Sequence, residues 1–230
     1  MTSASSPASA AGPDPRGDRP PSLRAEYREL TRRRLLATVR AVLEESDYAA
    51  ATVDGIANRA GTSRATFYLH FRSKAEAVAA LVEDVTPSER GWYAALDAAI
   101  GSPARLRRWM DEALGWYESH ARLLAALNEA GAVERTVAER RSASIERLVS
   151  TMSGYLERTP GDAARAQAQL RLQLLVRQLH QVAMDTVVQR NWTPDRDQLL
   201  DVMASDWHAT LQTTASGHPG PTADTPATGA

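Results

Sequence analysis

Between residues 22 and 214 the apolar positions recur every three to four residues, the period of helices buried along one side. Leu36, Val39, Val42 and Leu43 give a first helix one apolar stripe. Thr52 then caps a short second helix expected to run to Ala60. Gly61 supplies a turn, and Ser63 caps a third helix running to about His70. Ser73-Lys74-Ala75-Glu76 has the spacing of a capping box that opens a fourth helix, with Val78, Leu81, Val82 and Val85 on its buried face. That helix is expected to extend to Ile100, bent at Pro87. Ser102-Pro103 starts a fifth helix that ends near Ser119. Further helices are expected over about 121–130, 132–158, 162–190 and 195–213, with breaks at Thr159-Pro160-Gly161-Asp162 and from Asn191 to Pro194. No run of alternating β-branched residues marks a strand. The expectation is an all-α chain of about nine helices.

Composition adds ends and a charge division to this pattern. Residues 1–21 hold five prolines among Ser, Ala and Gly, and residues 215–230 hold three more in the same company. Both stretches have nothing to bury and read as disordered tails. Residues 23–78 carry ten Lys/Arg against seven Asp/Glu, a net +3, whereas residues 79–230 carry fifteen against nineteen, a net −4. A basic amino-terminal module on an acidic body suits a polyanion at one end of the molecule. With no cysteine, disulfides, Cys-ligated zinc, iron–sulfur clusters and thiol catalysis are excluded. His70, His120, His180, His208 and His218 form no metal-ligand spacing, and there is no phosphate-binding glycine loop. No cofactor, metal or enzymatic activity is therefore expected. No apolar run approaches the roughly 18 residues of a membrane span, and no signal peptide is evident, so a cytoplasmic place with no membrane partner is expected.

The stretch Thr52 to Lys74 carries the most specific chemistry. Two short helices joined by a tight turn, followed at once by a third, form the layout that presents one helix to the DNA major groove. Ile56 and Ala57 on the second helix, with Phe67 and Phe71 near the third, fall where both helices face a shared small core. The opposite face of the third helix then holds Arg64, Thr66 and Tyr68, with His70 at its end. Arg binds guanine bidentately, and Thr touches a thymine methyl or a base edge. Thr52 and Ser63 sit at helix amino termini, whose N–H groups suit phosphates, and Lys74 adds a further phosphate contact. The bland alternatives are a core role for Tyr68, a simple cap for His70, and a solvated helix face for Arg32, Arg33 and Arg34.

These residues resemble the DNA-binding domain of the TetR family over residues 32–82. The resemblance lies in Thr52-Val53-Asp54-Gly55-Ile56-Ala57-Asn58-Arg59-Ala60-Gly61, in Ser63, in Phe67-Tyr68-Leu69-His70-Phe71 and in Ser73-Lys74. It implies that Thr52, Ser63, Arg64, Ala65, Thr66, Tyr68, His70 and Lys74 are DNA-contacting positions. Three residues depart from the family pattern. Asp47 stands where a glycine usually ends the first helix, Gly55 lies inside the second, and Leu69 replaces a residue that is often polar or aromatic. By the same resemblance the chain divides into a tail (1–21), a helix-turn-helix domain (22–72), a helical ligand-binding and dimerisation domain (73–214) and a second tail (215–230).

In the body, Leu172, Leu175, Leu179 and Val182 form one stripe, and Leu199, Met203, Trp207 and Leu211 another. The resemblance implies a homodimer held by a four-helix interface from these two helices; the alternative is that the stripes fill the core of a single chain. Trp92, Trp109, Trp116, Tyr117, His120, Asn128, Met152, Tyr155, Gln178 and Gln181 are candidates for a pocket with apolar walls and a few polar groups. The family reading makes its occupant an inducer, here a medium-sized, largely apolar or aromatic small molecule, acting through the fourth helix with Pro87 as a hinge. The function so implied is a repressor that binds a palindromic double-stranded operator. The rivals are an activator, a helical adaptor on the same fold, or, least favoured, an enzyme.

Overall fold

The computed structural model describes residues 22–85 and 90–212. The expected tails and the proposed hinge at Pro87 lie outside the described residues. Within them the chain forms eleven α-helices and no strand. They are α1 (Leu23–Glu45), α2 (Val53–Arg59), α3 (Arg64–His70), α4 (Lys74–Val85), α5 (Arg90–Ala99) and α6 (Pro103–Ser119). There follow α7 (Ala121–Val133), α8 (Arg135–Ser150), α9 (Ser153–Glu157), α10 (Asp162–Ala183) and α11 (Arg196–Gln212). The two extra helices have local causes. The stretch expected as one helix over 132–158 breaks at Thr151-Met152, between α8 and α9. The expected fourth helix is two described helices, α4 and α5. α10 continues into a π-helical turn, Met184–Val188, and stops where Arg190 takes a positive φ of 54°.

Caps fix the ends as the sequence implies. Ser22, Thr52, Ser63 and Ser102 each accept a first-turn N–H at the start of α1, α2, α3 and α6. Ser73 Oγ accepts from Glu76 N–H, but the Glu76 carboxylate reaches Arg72 N–H rather than the Ser73 backbone, a one-residue shift of the capping box. Asp47, at the position where the family usually has glycine, does not take a positive φ. Instead α1 ends on extended Ser46, whose N–H bonds Val42 carbonyl.

Two apolar cores result. The amino-terminal one unites Leu35, Val39 and Leu43 of α1 with Ile56, Phe67, Phe71 and the inner face of α4, and it continues into Leu123, Ala126, Leu127 and Ala130 of α7. Leu35 was not in the expected stripe, while Leu36 and Val42 are only partly buried beside it. The second core joins α5, α6, α9, α10 and α11 around Trp109, Met110, Leu172 and Trp207. Here the structure corrects the expected dimer stripes. Leu172, Leu175, Leu179, Met203, Trp207 and Leu211 are buried inside the chain itself, with Val182 and Leu199 packed at its edge. A helix stripe goes to the nearest apolar partner, and for α10 and α11 that partner is α6 and its neighbours in the same chain. No described helix is long and apolar enough to cross a membrane.

Candidate nucleic-acid interface and interior cavity

The α2–α3 turn is built by backbone geometry. Gly61, at φ 64°, follows the α2 C-cap Ala60. Its N–H bonds Asn58 carbonyl at 3.0 Å, and Thr62 N–H bonds Ala57 carbonyl at 2.9 Å. This paired closure satisfies the last carbonyls of α2 and needs a residue tolerant of positive φ. Gly55 lies in the first turn of α2, where its N–H bonds Thr52 Oγ1 at 3.1 Å; an added Cβ would press on that same oxygen.

Phe67 anchors α3. It is fully buried, 5.6 Å from the Phe71 ring and edge-on to Tyr68 at 5.7 Å. With Phe67 inward, Arg64, Ala65 and Tyr68 are exposed and Thr66 is half-buried, so Tyr68 is not a core residue. The Arg64 guanidinium sits 5.6 Å from the Tyr68 ring centre and donates to Asp54 Oδ2 at 3.1 Å. Both partners of that ion pair are exposed, and water screens such pairs, so Arg64 is held in place at little cost to its release. Ser63 Oγ lies 3.0 Å from Thr66 Oγ1 as well as capping α3. Leu69 is 71% exposed and adds no polar group to this face.

The remaining two predicted contacts are turned differently. His70 is half-buried at the end of α3, its pKa lowered by burial and then by Arg28 and Arg32. Arg28 donates to Leu69 carbonyl, and Arg32 lies 4.7 Å from the Phe71 ring centre, so these arginines close the carbonyl end of α3. Lys74 points inward: its Nζ donates to Tyr48 carbonyl at 2.8 Å and Ala51 carbonyl at 2.9 Å, 3.8 Å from the Tyr48 ring centre. Burial lowers its pKa. Two of its three donors thus hold the α1–α2 loop.

That loop is also clamped by α7. Glu129 accepts from Tyr48 N–H at 2.9 Å and Ala49 N–H at 3.0 Å. Arg122 donates to the carbonyls of Glu44 and Glu45 at the end of α1, and Tyr48 Oη donates to Glu134. Sequence reasoning passed over these residues because each works across more than 75 positions of chain.

The opposite side of α7 lines a cavity of about 120 Å³ among α4, α5, α6, α7, α8 and α10. Val82, Val85, Leu124, Leu127, Leu148 and Val176 form its apolar wall; Tyr117, Arg141, Ser144 and His180 form its polar one. A smaller hollow of about 50 Å³ lies beside it, between Trp92, Trp109 and the same Tyr93, Trp116 and Tyr117. Of the predicted pocket residues, Trp116 and Tyr117 line the cavity and Trp92 and Trp109 the hollow. Asn128 stands behind Arg141, accepting from its Nη1 at 3.3 Å. His120 stacks on Trp116 at 4.6 Å and bonds Trp116 carbonyl through Nδ1. The other four lie elsewhere. Met152 and Tyr155 are core residues, with Tyr155 Oη donating to Leu211 carbonyl. Gln178 and Gln181 are exposed, the first accepting from Trp207 Nε1 and the second donating to Asp185. Both glutamines lie on the outer side of α10, away from the stripe that Val176 and His180 turn to the cavity.

The missed lining residues with polar groups are Tyr93, Arg141, Ser144 and His180. Arg141, Ser144, Ile145 and Leu148 recur at helical spacing on α8, a legible signal, though an arginine heading such a stripe reads first as a solvated edge. Tyr117 Oη lies 2.8 Å from His180 Nδ1, and Arg141 Nη2 contacts His180 Nε2. The Tyr117 ring is half-buried, but its hydroxyl lies inside, and burial pushes its pKa well up. His180 is held down to about 4, by burial first and then by Arg141 and Arg177.

Comparison with known proteins places this architecture. The sequence profile described as "Bacterial regulatory proteins, tetR family" matches residues 35–81, from α1 through most of α4. The "HTH-type transcriptional regulator EthR" of Mycolicibacterium smegmatis is 31% identical over 118 residues, which cover 50% of this chain and 53% of that protein. The match thus spans about half the length of that curated relative. In fold, the chain is similar to a tetR-family transcriptional regulator from Streptomyces coelicolor, with a TM-score of 0.61 at 19% identity, over 82% of this chain and 83% of that one. It is also similar to a TetR transcriptional regulator from Rhodococcus sp. RHA1, with a TM-score of 0.55 at 16% identity, over 82% and 98%. The profile match falls on the helices whose caps and turn are described above, so residues 35–81 resemble the amino-terminal domain of tetR-family regulators.

Proposed function

We propose that this protein is a repressor that binds an operator in duplex DNA as a homodimer and leaves it when a small ligand fills the cavity behind α4. The observation that carries this reading is the outward face of α3. Arg64, Ala65, Thr66 and Tyr68 are presented on a helix fixed from behind by Phe67. Arg64 and Thr66 read base edges in the major groove. Thr52 and Ser63, at the amino ends of α2 and α3, take phosphates, joined by His70 and by the remaining donor of Lys74. Residues 22–72 serve as the reader and 73–214 as the sensing and pairing body, working in the cytoplasm without catalysis.

A palindrome read by two recognition helices requires them about 34–36 Å apart. The pairing surface proposed here is the outer side of α10 and α11, where Leu170, Leu174 and Val202 are 55–58% exposed in the single chain. Ligand response is supported by the place of the cavity: Val82 and Val85 on its wall belong to α4, the helix that follows the reader. Glu83 on the same helix bonds Arg140 and Arg147 of α8, so a ligand parting α4 from α8 moves both.

The test is salt-titrated binding of the protein to DNA from upstream of its own coding region and to random DNA. Arg64→Ala is expected to lose about 1–3 kcal/mol of discrimination between the two. Lys74→Ala should weaken both and flatten the salt dependence by about one unit. An Arg64→Ala protein that discriminates like the wild type would overturn the assignment of α3 as the reading helix.

A further inference from the structure

We infer that the ligand of the α4–α8 cavity is a small amphipathic carboxylate, with its anionic head on Arg141 and Tyr117 and its apolar body against Val82, Leu127 and Leu148. The inference rests on reading this cavity as the effector site and adds the chemical class of the effector.

Arg141 is a cation without a counter-ion among the described residues. Arg141 lies on the cavity wall, and its two hydrogen-bond partners are both neutral: Asn128 Oδ1 and His180 Nε2. Among the described residues no carboxylate pairs with it, in a protein where Arg107, Arg140 and Arg196 each hold one or two. Arg177, one turn before His180 on α10, adds positive field and donates to the neutral Ser142 hydroxyl. A charge facing an apolar cavity is costly unless paired. The site keeps that cost, and α7 is shaped to permit it: a Cβ at Gly131 would come within 3.1 Å of Arg141 Nη1.

The hydrogen-bond directions then follow without choice. A guanidinium only donates, so His180 Nε2 accepts and the imidazole proton sits on Nδ1. Nδ1–H donates to Tyr117 Oη at 2.8 Å. The Tyr117 hydroxyl has thereby accepted, and its own proton is the donor at the end of the chain. Arg141 retains three further N–H groups. The polar wall of the cavity is thus made of converging donors, with an excess positive charge, and asks for an acceptor that carries a negative one.

The size of the charge and of the cavity narrow the class. One guanidinium offsets one negative charge, so a carboxylate is matched while a phosphate dianion would bring a surplus into an apolar space. A cavity of about 150 Å³ takes a benzene ring. The space here, about 120 Å³ with a separate hollow of about 50 Å³ behind Trp116 and Tyr117, is on the scale of one ring or a short acyl chain.

The test pairs acids with their uncharged amides: phenylacetate with phenylacetamide, and octanoate with octanamide, by calorimetry and thermal melting on the full chain. At least one acid is expected to bind at least tenfold more tightly than its amide and to raise Tm. Arg141→Met is expected to remove that preference, and Arg141→Lys to keep part of it. Acid and amide binding alike to wild-type protein would overturn the carboxylate while leaving the cavity as an effector site. If no probe of either kind raises Tm or loosens DNA binding, the carboxylate and the effector site fall together. The wild-type comparison stands whether or not the variants fold.

Discussion

His180 shows how one side chain ties burial to pH. In the folded chain its pKa is held down to about 4, whereas the unfolded chain binds a proton near the ordinary value of 6.5. A depressed value means that the neutral form is the one that fits. Its share of stability is complete above pH 6.5 and is lost as pH falls from there toward 4. Unfolding free energies from urea titrations at several pH values across that window should fall with a slope of up to about 1.4 kcal/mol per pH unit. His180→Gln should flatten that slope, leaving the smaller part owed to His70, which is shifted in the same direction. Lys74 makes a different point at the same scale. It is the single lysine beside 26 arginines, and its site explains the choice. A compact ammonium fits between two carbonyls and over the Tyr48 ring, where a planar guanidinium would not.

At the scale of the element, the reader depends on one backbone conformation. Gly61 holds φ 64° in the closure between α2 and α3, with open space where a side chain would stand. Gly61→Ala therefore meets no clash, only the left-handed penalty of about 1–2 kcal/mol. A Tm lowered by several degrees is expected, with α3 still formed by circular dichroism; an unchanged Tm would mean that the turn can relax. This part of the fold was legible because its signals are local. Thr52, Gly61 and Ser63 each act within three residues of themselves. The break at Thr151-Met152 was not, since neither residue is a helix breaker. Arg141 and His180 were illegible for a related reason: 39 positions separate them, and only the packing of α8 beside α10 makes them partners. The dimer stripes failed more instructively. Period and apolarity said correctly that Leu172 and Trp207 are buried, but a period carries no information about which surface does the burying.

For the whole molecule, the homodimer proposed above would place a second copy over the apolar positions left outward on α10 and α11. Leu174→Glu, at a position 58% exposed, should leave the monomer's stability within about 0.5 kcal/mol while light scattering reports a shift from dimer to monomer and operator binding weakens. A dimer that survives Leu174→Glu combined with Val202→Glu would place the pairing surface elsewhere. The clamp on the α1–α2 loop has a consequence for engineering. Leu123, Leu127, Glu129 and Arg122 of α7 complete the core and the carbonyl ends of a reader that precedes them by some forty residues. The helix-turn-helix is therefore not a cassette. Grafting residues 22–85 onto a foreign sensor would strip it of its fourth wall, and a working chimera must carry α7 across with the graft.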